Sequence, residues 1–140
     1  MAVRKTIGSG YAGTILAGFL VILFGVNAFA SENSLKEDVK AALESGSAKE
    51  LVRLFTGKVE ITMSGSKAGY SQSEAENLFR GFFGKHPATG FDYVHEGSSQ
   101  EGLKYAIGKY KSSGATYRVY ILMSQESGQY LVRAMNFTEE

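Results

Sequence analysis

The stretch ENLFRGFFGKHPATGFDYVHEG, Glu76 to Gly97, decides how this chain folds. It holds both histidines, the only proline and four of the nine phenylalanines of a 140-residue chain without cysteine or tryptophan. Two readings compete for it: an active site built on a histidine, or the crease where a helix stops and a strand begins. The spacing favours the crease. Ala75, Leu78, Phe79, Phe82 and Phe83 recur at i, i+3, i+4, i+7 and i+8, the apolar stripe of an amphipathic helix. Glu76, Asn77 and Arg80 fall on the opposite side. Pro87 disfavours helical geometry at His86, so the helix ends there and GKHPATG turns the chain into a strand. Histidine in a last helical turn commonly serves the helix end, which gives His86 a structural role.

Working upstream, three segments carry the pattern of a capping box, in which a serine hydroxyl and a glutamate three residues on satisfy each other's backbone N–H groups. These are SLKE from Ser34, SAKE from Ser47 and SQSE from Ser71. The first helix places Leu35, Val39, Ala42 and Leu43 on one stripe and stops at Gly46. The second is short and carries Leu51, Leu54 and Phe55 before Gly57. Between it and the third, KVEITM alternates Val59, Ile61 and Met63 against Glu60 and Thr62, a half-buried strand. SGSKAG then turns the chain, with a short return strand at Gly69-Tyr70.

Downstream the pattern is β throughout. Strands are expected from Phe91, Leu103, Thr116 and Tyr130, separated by the serine- and glycine-rich loops SSQEG, KSSGA and SQESG. The last two are apolar on both sides. Tyr117, Val119, Ile121 and Met123 share one face, with Tyr120 and Leu122 on the other. Leu131, Met135 and Phe137 oppose Val132 and Ala134. Such strands belong in the middle of a sheet or touch something with their second face. Helices on one face of an antiparallel meander make an α+β domain.

The first thirty residues read as an address. Arg4 and Lys5 precede the apolar run ILAGFLVILFGV, and AFA places Ala28 and Ala30 at the small-residue positions of a signal-peptidase site. That run is 12 residues, short of the roughly 20 that span a bilayer. Residues 1–30 are therefore expected to be a cleaved signal peptide and residues 31–140 one exported domain, periplasmic or extracellular, soluble and with no membrane association after cleavage. No cysteine is present to carry a lipid, so a lipoprotein is not expected. After cleavage 13 basic residues face 14 acidic ones, a net charge of −1. With no basic block, nucleic acid is not an expected partner.

EDVKAALESGSAKELVRLF leading into KVEITM, then YSQSEAENLFRGFFGKHP, GFDYVHEGSSQEGLKYAIGKY and TYRVYIL together resemble a family of small exported Bacteroidota proteins of unknown function. Helix, helix, strand, helix and four further strands is also the order of the nuclear-transport-factor-two-like (cystatin-like) group. The resemblance implies a strongly bent sheet wrapped around the N-terminal helices as a cone. It implies no reaction, because that broad group hosts several chemistries and fold alone does not assign one. No catalytic residue and no cofactor is carried over.

Candidate chemistry rests on the strand from Phe91. Strict alternation puts Phe91, Tyr93 and His95 on one face, with Asp92, Val94 and Glu96 on the other. If that first face lines the cone, Tyr93, His95 and Tyr105 form a candidate pocket in which an imidazole and a phenol move protons. One histidine without an orienting carboxylate is otherwise a core residue with a satisfied polar tip. Two histidines and no cysteine point away from a zinc site. Arg118 and Arg133 either form a small anion site on neighbouring strands or pair with Glu96 and Glu126. The expected function is a non-enzymatic exported module that binds a small apolar ligand in the cone or a protein on the sheet, including a second copy as a homodimer. The alternative is a small-molecule isomerase or hydrolyase using His95.

Overall fold

A computed structural model describes residues 31–140. The signal peptide and cleavage site expected within residues 1–30 lie outside the described residues. Helix α1 (Glu32–Ser45) starts earlier than the SLKE box, because Ser31 takes the cap and its hydroxyl accepts the Ser34 N–H at 3.1 Å. Gly46, at φ 66°, closes α1 in the left-handed conformation that glycine adopts without strain. Helix α2 (Ala48–Val52) begins at Ser47 as expected, but it is over before Phe55. Phe55 opens β1 (Phe55–Met63) instead, and Gly57 lies within that strand. The backbone N–H of Val132 reaches the Leu54 carbonyl at 2.8 Å, which draws the chain out of the helix and into the sheet.

Ser64 and Gly65, both at positive φ (54° and 78°), reverse the chain into β2 (Ser66–Ser71). Two such residues in a two-residue loop match the right-handed twist of the strands they join. Helix α3 (Gln72–Lys85) carries both halves of its capping box: the Ser71 hydroxyl accepts from the Glu74 N–H, and the Glu74 carboxylate accepts from the Ser71 N–H. These bonds hold the Glu74 carboxyl below the usual carboxylate range. The helix ends where Pro87 requires, with His86 non-helical (φ −131°, ψ 68°) and its N–H bonded to the Phe82 carbonyl at 2.8 Å.

Strands β3 (Ala88–Ser98), β4 (Lys104–Ser112), β5 (Ala115–Glu126) and β6 (Gln129–Glu139) follow, with one 3-10 turn at Gln100–Gly102. The six strands form one sheet in the order β2-β1-β6-β5-β4-β3. Every pairing is antiparallel except β1 with β6, so the sheet is mixed. β5 and β6, apolar on both sides, are the two central strands.

The helices cover one face. Leu35, Val39, Leu43, Leu51 and the α3 stripe meet Val59, Ile61, Tyr110, Val119, Ile121, Met135 and Phe137, all buried. At the α3 end the filling is aromatic. Phe82 lies 5.1 Å from Phe137, 5.2 Å from Tyr117 and 5.4 Å from Tyr110 by ring centroid. The inside of the bend is therefore packed with rings.

Two glycines respond oppositely to an added methyl. A Cβ on Gly108 would sit 2.2 Å from the ring of buried Phe91, whereas one on exposed Gly84 in α3 meets nothing within 4 Å. Gly108→Ala is expected to cost about 1–3 kcal/mol through overpacking. Gly84→Ala, in the last turn of α3, is expected to add roughly 0.4–1 kcal/mol by lowering the entropy of the unfolded chain. Urea denaturation of both variants checks the opposite signs.

Candidate functional site

The proposed trio of Tyr93, His95 and Tyr105 does not form one pocket. A bulge in β3 breaks the alternation: Tyr93 pairs with Gly108, but His95 pairs with Ile107, leaving Val94 without a partner. Gly108 lies on the buried face with Ala106 and Tyr110, whereas Ile107 alternates to the other face. Tyr93 consequently points towards the helices and His95 away from them. The physical reason is the extra residue, which flips every later side chain of the strand to the opposite face.

On the helix side, the Tyr93 hydroxyl donates to the Lys36 carbonyl of α1 at 2.7 Å. The Lys36 ammonium pairs with Glu96, which the bulge has turned inward, and Lys40 pairs with Asp92 at 3.3 Å. These contacts fasten α1 to the edge strand. Burial, and secondarily the Glu96 charge, push the Tyr93 phenol well above its usual range. Tyr110 is pushed up to about 12 by burial first and Tyr117 second, and its hydroxyl donates to the His86 carbonyl. Tyr93 and Tyr110 thus act as neutral structural donors.

On the outer side, His95 Nε2 and the Tyr105 hydroxyl are 3.1 Å apart, and the pair is exposed. Tyr105 lies over Gly97, where a Cβ would come within 2.7 Å of its hydroxyl, and stacks on Tyr120 at 5.9 Å. Among the described residues, no carboxylate bonds to His95. The isomerase or hydrolyase reading placed His95 inside the cone, whereas the structure puts it on the outer face beside Tyr105. His86 has the expected structural role. Its ring packs 5.2 Å from Phe82, and its Nε2 lies 3.3 Å from the Tyr117 hydroxyl.

Arg118 and Arg133 do not join in an anion site. Arg118 stands opposite Thr138, five positions along β6 from Arg133, or about 17 Å of strand. Neither pairs with Glu96 or Glu126 among the described ion pairs. Among the described residues, no three His, Cys, Asp or Glu side chains gather as metal ligands.

The outer face itself is the more coherent feature. Register aligns Tyr105, Leu122 and Ala134 in one row, and Ile107, Tyr120 and Asn136 in the next. Three open depressions run across these rows. The largest, about 490 Å³, is lined by Lys58, Glu60, Leu122, Arg133 and Ala134 among others. It shares Glu60, Leu122 and Ala134 with a second of about 400 Å³, which shares Tyr120 and Asn136 with a third of about 320 Å³. The two-sided apolar pattern of β5 and β6 announced this face. Its largest depression was not legible, because it sits where the β1–β6 register shifts between Phe55 and Glu60 and where Arg133 is bulged from β6.

With this geometry in place, comparison with known proteins identifies the fold. A family model described as "Domain of unknown function (DUF4783)" matches residues 36–138. A DUF4783 family protein from Bacteroides fragilis superposes with a TM-score of 0.69 at 21% identity, over 74% of this chain and 96% of that one. One from Bacteroides ovatus gives 0.67 at 25% identity, over 71% and 90%. An NTF-2 like protein of unknown function from Silicibacter pomeroyi gives 0.55 at 12% identity, over 77% and 92%. No curated protein matches. Helices followed by a curved mixed sheet place the chain in the NTF2-like, cystatin-like α+β class.

The buried phenols make stability sensitive to alkali. A phenol whose folded pKa is raised contributes stability that is present below its unfolded value near 10 and is lost as pH rises towards the folded value. Urea midpoints are expected to fall from pH 10 upwards, with Tyr93 and Tyr110 giving phenolate absorbance only on unfolding. Tyr93→Phe should flatten that alkaline loss while costing about 1 kcal/mol at neutral pH for the bond to Lys36.

Proposed function

The chain belongs to the DUF4783 family, and from that premise we propose that it is an exported, non-enzymatic binding module whose working surface is the outer face of the sheet and whose occupant is a second copy of itself. The carrying observation is the uncovered apolar strip on the two central strands, where Tyr120 is exposed and stacked on Tyr105 beside Ile107, Leu122 and Ala134.

Three arguments support a second copy over a small ligand in the cone. First, the space between α3 and the sheet is filled by Phe79, Phe82, Phe83, Tyr110 and Phe137, which leaves the cone's interior to the protein's own rings. Second, the outer face has the area a dimer needs. Six strands at ~4.8 Å spacing and a nine-residue strand such as β4 at ~3.4 Å per residue give roughly 700 Å². A standard interface buries about 800 Å² per partner. Third, two of the charged pairs at the margins close within the chain, Glu60 with Lys67 at 3.3 Å and Lys109 with Glu140 at 3.1 Å. Lys58, Arg118 and Arg133 also stand on this face, so a two-fold contact, self-complementary by construction, has to set them away from their own copies.

Export is supported by the basic start, apolar run and AFA motif of the first thirty residues. Among the described residues, no helix is long and apolar enough to cross a membrane. Intact mass of the protein recovered from its native host checks the leader, with Ser31 as the expected first residue.

Sedimentation velocity over a concentration series tests the face. The expected result is a dimer that Tyr120→Glu with Leu122→Lys converts to a monomer, the far-ultraviolet circular dichroism being unchanged. A strict monomer at millimolar concentration, or a dimer indifferent to both substitutions, would sink this reading.

A further inference from the structure

On the helix side of the sheet, away from the outer face, the C-terminal half of α3 leaves an open groove of about 380 Å³ against the end of β1 and the start of β5. Its floor is apolar. Phe82 and Tyr117 are buried there, and Met63 and Leu78 are half-buried and pack against the core. A thioether and an aromatic edge make an adaptable surface for a flat ring. Gly81 lines the same groove, and a Cβ placed on it meets nothing within 4 Å. Open volume therefore exists where a helix would otherwise carry a side chain.

The rim is polar and cationic. Lys85 and His86 stand on one side, Asn77 on the same helix a little over two turns back, and Ser64 on the β1–β2 turn. None of the residues lining the groove is acidic. Lys85 takes part in none of the described ion pairs. The Tyr117 hydroxyl and His86 Nε2 lie 3.3 Å apart at the rim and form one polar pair, and the Tyr117 phenol is raised by burial first and by Glu139, its neighbour on β6, second. The end of α3 opposes an anion with roughly half a negative charge, but Lys85 brings a full positive one to the same turn. The His86 N–H already caps the Phe82 carbonyl, which leaves one fewer bare acceptor there.

We propose that this groove binds a small aromatic anion, its ring lying on Phe82, Met63 and Leu78 and its acidic group facing Lys85, His86 and the Tyr117 hydroxyl. The volume lies within the range of small-molecule sites, which runs from about 300 to 1,000 Å³. An apolar floor with a few convergent donors is the usual composition of such a site. The site is separate from the outer face and stands whether or not the chain dimerises.

Two dyes that share aromatic rings and differ in charge test it: 8-anilinonaphthalene-1-sulfonate and the uncharged N-phenyl-1-naphthylamine, each titrated by fluorescence. The unmodified protein is expected to bind the sulfonate at one site per chain. Gly81→Leu should fill the groove and weaken both dyes by about tenfold or more, whereas Gly84→Leu, on the same helix but outside the groove, should change neither. Lys85→Gln should weaken the sulfonate about threefold to fivefold, the scale of a rim charge, and leave the neutral dye as it was. Neither glycine variant opens the core, and thermal melts of both confirm the fold. Absence of sulfonate binding by the unmodified protein, full binding by Gly81→Leu, or loss caused instead by Tyr120→Glu on the outer face would each overturn the proposal.

Discussion

The contact on which the rest of this structure depends is the seating of the α3 aromatic stripe against the central strands. Phe79 and Phe82 lie 5.7 Å and 5.1 Å from Phe137, and Phe82 also meets Tyr110 and Tyr117. Each buried ring contributes about 1.5–3 kcal/mol. The whole stability of a domain is about 5–15 kcal/mol, so two such rings account for a large part of it. Without disulfides or a described metal cluster, nothing comparable replaces them. The consequence reaches function directly. Once this face of the sheet is given to α1, α2 and α3, the interior holds the protein's own rings, and the open surfaces are the groove beside α3 and the opposite face.

The same packing explains why the opening stretch reads as a crease. His86 ends α3 through its backbone N–H and receives the Tyr110 hydroxyl on its carbonyl, so main-chain geometry at that one residue ties helix to sheet. The ring of His86 adds to this role by packing on Phe82, and its Nε2 meets the Tyr117 hydroxyl at the edge of the groove.

Much of the fold was legible because its signals are local. The Ser47 and Ser71 caps, the spacing of Phe79, Phe82 and Phe83, and the alternation of Val59, Ile61 and Met63 each involve neighbours within one or two turns. What was not legible depends on partners far along the chain. The parallel pairing of β1 with β6 joins Phe55 to Val132, and no local pattern encodes it. The bulges at Val94 and Arg133 are set by register against β4 and β5. Alternation counts faces correctly only until such a residue intervenes, which is why His95 moved from the expected cone to the outer face and Glu96 moved in to meet Lys36. The same effect put Val132, rather than Leu131, on the buried side with Met135 and Phe137.

The edges of the sheet bear on how the outer face is used. An open sheet offers two routes to association, strand addition at an edge or packing of a face. Both edges here are blunted. β2 is six residues long, almost wholly exposed, and carries Lys67. β3 is bulged at Val94, which stands 56% exposed, and its flank is occupied by the Lys36–Glu96 and Lys40–Asp92 pairs from α1. A bulge, a short strand and edge charges each disfavour pairing with a further strand. The outer face has no such edge defence: Ile107, Tyr120, Leu122 and Ala134 run across its middle, with Arg118 and Arg133 on the same two central strands. A sheet protected at both edges leaves the face, rather than strand addition, as the open route for a partner.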